Sequence, residues 1–169
     1  MSAVIGELPW PYDWRPGEGA EDLRFAQKLV EETMSPYWQK RRMMFSRQLF
    51  REQWVRLETA IIMQAGERAG LIAWDASDGV HHLRELHLTE RFRGQGLGSR
   101  ALFTWIDREE GLGARSMRLK VFEENPARRL YEKAGFQMIQ GSGEISGLLI
   151  MERLCKGAGF HRPANALRD

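Results

Sequence analysis

The chain has 169 residues, 43% of them hydrophobic, and sets 25 basic against 23 acidic side chains for a formal charge of +2. That length gives one domain with a core of its own, and the near balance of charge points away from a general nucleic-acid or membrane surface. Cys155 is the sole cysteine, which excludes an internal disulfide and makes a thiolate metal site unexpected; no run approaches the ~20 apolar residues of a membrane span and no secretion signal opens the chain, so a soluble protein of the reducing cytoplasm is expected.

Residues 1–19, rich in Pro, Gly and Trp, read as an irregular leader that packs a few aromatic side chains. From Ala20 the pattern turns helical, with Leu23, Ala26, Val30, Met34 and Tyr37 on one stripe, and Ser35-Pro36 is expected to interrupt it. A second helix is expected over Arg41–Gln53 with Met43, Phe50 and Trp54 facing inward. Strands follow at Leu57–Ala65 and Leu71–Asp75 around the hairpin signal Gly66–Gly70, and Asp78-Gly79 turns the chain into a strand at Val80–Leu88. The rhythm then becomes helix (Ser99–Glu110), strand (Met117–Val121), helix (Pro126–Ala134) and two strands (Phe136–Gln140, Gly147–Leu154). The crossover implies parallel pairing within an otherwise antiparallel sheet, hence a mixed α/β fold. Lys156–Asp169 reads as a flexible tail.

Between the strand at Val80–Leu88 and the next helix lies Arg91-Phe92-Arg93-Gly94-Gln95-Gly96-Leu97-Gly98-Ser99. Three glycines let the backbone curl and present consecutive N–H groups, and the following helix aims the positive end of its dipole at the same place, so the segment reads as a phosphate-binding turn. Arg91, Arg93 and Arg100 add full charges around it. A Walker A loop is excluded because Ser99-Arg100 follows Gly98 where Lys-Ser/Thr is required. A dinucleotide fingerprint fails at Ser99, and the strand that should end in a ribose-binding acid runs Met117-Arg118-Leu119-Lys120-Val121.

About thirty residues on comes Asn125-Pro126-Ala127-Arg128-Arg129-Leu130-Tyr131-Glu132-Lys133-Ala134-Gly135-Phe136. With both segments in this order, Glu58 to Leu154 resembles the GNAT-type N-acetyltransferases. Arg93, Gly96 and Gly98 match the family's Arg/Gln-x-x-Gly-x-Gly/Ala loop, and Leu130, Tyr131, Gly135 and Phe136 match its Leu-Tyr-x-x-x-Gly-Phe. The resemblance implies the GNAT acyl-CoA N-acyltransferase fold and an acetyl-CoA site. Residues Arg93, Gly94, Gln95, Gly96, Leu97, Gly98 and Ser99 then surround the pyrophosphate, and Leu86, His87 and Leu88 run along the pantetheine.

Acetyl transfer to an amine needs a free amine, a polarised carbonyl and a protonated leaving thiolate. By resemblance, Tyr131 protonates the thiolate and Asn125 contacts pantetheine. Two departures stand out. The asparagine-to-tyrosine spacing is six where the family has seven, which leaves Asn125 equally readable as a helix cap. Where many members carry a glutamate beside the residue matching Val121, this chain has Lys120, which cannot serve as a base. Glu85 is the best replacement, followed by His87, His82 and His81.

Lys40-Arg41-Arg42, Arg47 and Arg51 read as the solvated face of the second helix, and Met43, Met44 and Phe45 as core. Glu31-Glu32 is a candidate attractor for a cationic acceptor. Trp38, Trp54 and Trp74 fit either a cleft wall or the core. The function expected is direct acetyl transfer from acetyl-CoA to a primary amine, on a small molecule or a protein, in a ternary complex without a metal or an acetyl-cysteine step. No nucleic-acid or membrane partner is expected, and a homodimer is compatible with this. The alternative is a CoA-binding sensor or regulatory module without transfer, which rests on Lys120.

Overall fold

Paired left-handed residues set the first half of the sheet. Ala65 (φ 50°) with Gly66 (φ 76°), and Asp78 (φ 52°) with Gly79 (φ 79°), form two-residue turns whose positive φ values match strand twist. In the computed structural model, which describes residues 10–155, these turns join β2 (Glu58–Gln64), β3 (Glu67–Ser77) and β4 (Val80–Leu88). The expected Gly66–Gly70 loop is therefore mostly strand. Arg68 and Gly70 pair with Met63 and Ile62, and Ala69 bulges between them with its methyl fully buried.

With β1 (Trp14–Pro16), β5 (Ser116–Phe122), β6 (Gln137–Gly141) and β7 (Leu148–Leu154), the sheet order is β1-β2-β3-β4-β5-β7-β6. Only the β4–β5 pair is parallel among the described strands, so the mixed sheet expected from the crossover is found. Helices α1 (Gly19–Lys40) and α2 (Arg47–Trp54) cover one face, where Ala26, Leu29, Val30, Phe50 and Trp54 meet Ile61, Leu71 and Ala73. On the other face α3 (Leu97–Gly111) lays Leu102, Trp105 and Ile106 over Ile72 and Met117, and α4 (Ala127–Lys133) adds Tyr131.

A buried carboxylate ties the α1 face to the sheet edge. Asp22 accepts two bonds from Arg15 (2.6 and 2.9 Å), one from Arg68 (2.9 Å) and one from the Glu18 N–H (3.0 Å). The Arg15 bonds, above all, hold its carboxyl down at about 2 despite burial.

Several expectations need correction. Pro36 lies inside α1 instead of ending it. The Ser35 hydroxyl bonds back to the Glu31 carbonyl, and Tyr37 and Trp38 in the following turn pack on Phe122, at ring-centroid distances of 5.5 and 5.8 Å; that tertiary packing outweighs the lost backbone bond. The second helix starts at Arg47, capped by the Ser46 hydroxyl on the Leu49 N–H (3.2 Å), because Arg42 takes a left-handed φ of 55°. Met43 is therefore exposed, and Met44 is 92% exposed, so neither is core. Phe45 does pack on Phe50. The leader contributes a strand, Trp14–Pro16, and a Trp10–Trp14–Trp74 cluster with centroids 6.1–6.4 Å apart. Residues 1–9 and the expected tail at 156–169 lie outside the described residues. No described helix is long and apolar enough to cross a membrane.

One irregularity positions the site. In the β3–β4 ladder Trp74 faces Leu83 and Ala73 faces Glu85, so Arg84 is an extra residue that bends β4. Parallel pairing with β5 stops at Leu83↔Leu119, while β5 stays paired with β7 as far as Phe122↔Leu148. A wedge opens between Glu85–Leu88 and Lys120–Phe122.

Candidate active site

Gly94 (φ 72°) and Gly96 (φ 78°) lie in the left-handed region, and Gly96 is the residue that starts α3. A Cβ at either would meet nothing within 4 Å, so it is backbone conformation that requires glycine here. The first bond into this turn from the helix side is Arg100 N–H to the Gly96 carbonyl (3.0 Å), and the N–H groups of residues 94–99 have no partner among the described residues. Six consecutive free donors at a helix N-terminus fit a pyrophosphate. The surrounding charge is smaller than the sequence implies. Arg91 pairs with Glu67 (2.5 Å) and Arg100 with Asp13 (2.7 Å). Arg93 has no carboxylate partner among the described residues; its guanidinium donates to the Leu88 carbonyl (2.9 Å) and Thr33 Oγ1 (3.4 Å).

The wedge continues from this turn as a cleft of about 400 Å³. On one wall, Glu85 and His87 share the α1 face of β4 by their two-residue spacing, with His87 Nε2 2.5 Å from Glu85 Oε2. On the opposite wall α4 presents Tyr131, 8% exposed and edge-on to Phe136 at 6.1 Å. Burial raises the Tyr131 hydroxyl above its ordinary value, and the Glu85 carboxylate raises it further, so it remains a proton donor throughout the neutral range. The cleft therefore brings a carboxylate–imidazole pair and a protonated phenol to one space.

Leu86 and Leu88 line the cleft and also pack on the α3-side core. The Leu88 carbonyl already accepts one bond from the Arg93 guanidinium. The Asn125 side-chain oxygen accepts from the Ala127 N–H (2.9 Å) and so caps α4, while the residue still lines the cleft. Lys120 lines it as well, with its ammonium 3.5 Å from Glu144. His81 is elsewhere, on the α3 face, with Nδ1 3.2 Å from the buried Glu109 carboxylate. Burial, then the neighbouring Arg84, pulls His82 below its ordinary value; Arg118 and Lys120 add to this against Asp75, and His82 does not line the cleft.

Sequence reasoning missed the clamp at the mouth. Tyr37 stacks on Phe122 with a 7° interplanar angle, and the Arg41 guanidinium sits 4.0 Å from the same ring. Arg41 donates to both Glu124 oxygens (2.8 and 3.0 Å) and to the Ser146 carbonyl (2.5 Å), joining α1 to the end of β5 and the loop before β7. The Arg41 bonds hold the Glu124 carboxyl at about 2. Arg47 likewise pairs with Glu31 (3.0 Å), so Glu31 is not free to attract an acceptor. Trp54 and Trp74 are core residues. Extending the helical stripe through Tyr37 was the available signal; the Pro36 stop hid its consequence.

The fold and cleft define an α/β acyl-transferase scaffold. The sequence model of the Acetyltransferase (GNAT) family matches residues 23–136, well over half the chain, and the chain belongs to that family, as its two motifs implied. An uncharacterised N-acetyltransferase of Bacillus subtilis (strain 168), YdgE, is 40% identical over 79 residues, covering 43% of this chain and 50% of that protein. The chain thus matches about half the length of this curated relative. Among solved structures, the ribosomal-protein-S18-alanine N-acetyltransferase of Escherichia coli aligns with a TM-score of 0.64 at 21% identity, covering 84% of this chain and 94% of that one. The PaiA N-acetyltransferase of Thermoplasma acidophilum in complex with coenzyme A aligns with a TM-score of 0.64 at 18% identity, covering 83% and 97%. At these identities the likeness is one of fold.

Proposed function

We propose that this chain moves an acetyl group from acetyl-CoA to a primary amine by direct transfer, and that residues 10–155 form one domain for this purpose. The observation that carries the reading is the facing of the Glu85–His87 pair and the Tyr131 hydroxyl across one cleft that begins at the free N–H groups of residues 94–99. The turn would hold the pyrophosphate, with Arg93 bracing the Leu88 end of β4. Acetyl-CoA supplies an acyl thioester when bound. Glu85, oriented by His87, takes the proton that keeps the acceptor an ammonium, so that the nitrogen lone pair can form the C–N bond as the C–S bond breaks. Tyr131 donates its proton toward the departing sulfur, and a proton from the new amide nitrogen leaves by way of the Glu85–His87 pair.

Asn125 serves chiefly as the cap that fixes the first turn of α4, and therefore Tyr131. The rival reading of a CoA-binding module without transfer rests on the missing glutamate at Lys120; Glu85, a carboxylate on the neighbouring strand that lines the same cleft, supports transfer instead. Thiol release from acetyl-CoA on adding amines tests the proposal. Amine-dependent release that falls in Glu85→Gln and Tyr131→Phe is expected, whereas release indifferent to every amine offered would overturn it.

A further inference from the structure

Glu85 also faces a second cavity. Beyond the cleft, on the α1–α2 side of the sheet, a space of about 380 Å³ lies between α2, β3 and β4, and both Glu85 and Arg84 line it. Its volume is near the lower end for small-molecule pockets, about 300–1,000 Å³, enough for one amino-acid-sized molecule. Phe50, Trp54 and Leu57 give it an apolar wall.

The charges in this cavity are not equivalent. Arg84 and Asp75 satisfy each other, through Nε to Oδ1 (2.8 Å) and Nη2 to Oδ2 (3.4 Å). Arg56, by contrast, lines the cavity with a guanidinium that has no ion pair or hydrogen bond among the described residues, and the neighbouring Gln53 amide is likewise without a partner. The Glu85 carboxylate uses one oxygen toward His87 and keeps the other. The cavity thus offers a free cation and amide, a carboxylate in contact with the transfer cleft, and an apolar wall. That set complements a small zwitterion whose side chain is apolar.

We infer that this cavity is the acceptor subsite and that it takes a free α-amino acid with an apolar side chain. The amine points to Glu85, the carboxylate is held by Arg56 with Gln53, and the side chain lies on Phe50, Trp54 and Leu57. A guanidinium–carboxylate contact is charge-assisted and directional, so an acceptor without the carboxylate forfeits it. This inference rests on the transferase reading for its consequence but not for its binding test.

Calorimetric titration of L-leucine and L-leucinamide into the full chain saturated with CoA reads the subsite without turnover. Leucine should bind at least tenfold more tightly than leucinamide, and Arg56→Ala should weaken leucine about tenfold or more and bring the two ligands to near-equal affinity. Arg56 is solvent-exposed, and an unchanged melting temperature checks that the variant is folded. Equal binding of leucine and leucinamide, no effect of Arg56→Ala, or no leucine binding at about 10 mM would overturn the subsite. Tighter binding of a leucine-initiated tripeptide than of leucine would overturn it in favour of a protein N-terminus. If leucine binds as described but no amine releases thiol from acetyl-CoA, the subsite stands and the transferase reading fails. If simple amines release thiol while leucine and leucinamide are indistinguishable, the reverse holds.

Discussion

Replacing Tyr131 by phenylalanine isolates one atom of the proposed chemistry. The ring is 8% exposed and packs edge-on to Phe136, contacts that phenylalanine keeps. The hydroxyl has no hydrogen-bond partner among the described residues, and its raised value comes from burial and then from Glu85. Losing it should therefore change the melting temperature little. A hydrogen bond to a charged group contributes about 1.5–3 kcal/mol, and negative charge reaches the sulfur only as the thioester breaks, so the contribution belongs to the transition state. The expected loss is then roughly 10- to 150-fold in kcat, about 40-fold at the centre, with acetyl-CoA affinity unchanged. Because the phenol is held above its ordinary value of about 10, Tyr131 should add no alkaline limb to the kcat profile below that pH. Single-turnover thiol release, in which chemistry is separated from product release, is the assay. Full single-turnover rate in the variant would refute the donor role, and weakened acetyl-CoA binding at unchanged kcat would make Tyr131 a binding residue.

Other substitutions probe the frame. Gly96→Val puts a β-branched residue at φ 78°, a strain of about 1–3 kcal/mol, and should abolish the rise in melting temperature that CoA gives the parent protein; a retained rise would contradict the turn's role. At Gly70, a Cβ would press on the His87 backbone carbonyl and the Leu88 side chain. Gly70→Ala should therefore displace β4, costing about 1–3 kcal/mol of stability and lowering turnover, whereas normal urea unfolding would show that β4 gives way freely. Asp22 has a folded value of about 2 against an unfolded value near 4, so its contribution of about 2 kcal/mol is complete above pH ~4 and is lost as pH falls toward ~2. Asp22→Asn should remove most of that acid dependence, and identical acid-unfolding curves would refute it.

Legibility followed how directly each residue's physics is written into its own neighbourhood. The glycine turn was readable because left-handed backbone at Gly94 and Gly96 leaves a compositional trace, and the bounds of β4 followed from the Asp78-Gly79 turn at its start. The two-residue spacing of Glu85 and His87 implied one strand face, but their hydrogen bond depends on side-chain placement. The bulge at Arg84 that opens the cleft has no signature, since any residue can be the extra one. Pro36 misled because its local penalty is visible in sequence while the Tyr37–Phe122 stacking that offsets it joins residues 85 positions apart. Strand β1 was missed for the same reason. Its three residues are strand only through pairing with Ala60, Ile61 and Ile62.

The proposed transfer turns on Glu85 freeing an amine beside a bound thioester. The rate of thiol release from acetyl-CoA, with a fixed amine acceptor, should be measured from about pH 6 to about pH 10 for the parent protein and Glu85→Gln. Below the amine's own pKa the variant should fall furthest behind, by the ~10²-fold of a positioned base, and the two rates should converge as free amine accumulates. A deficit that stays small and uniform at every pH, or parent rates that do not depend on the amine, would contradict it.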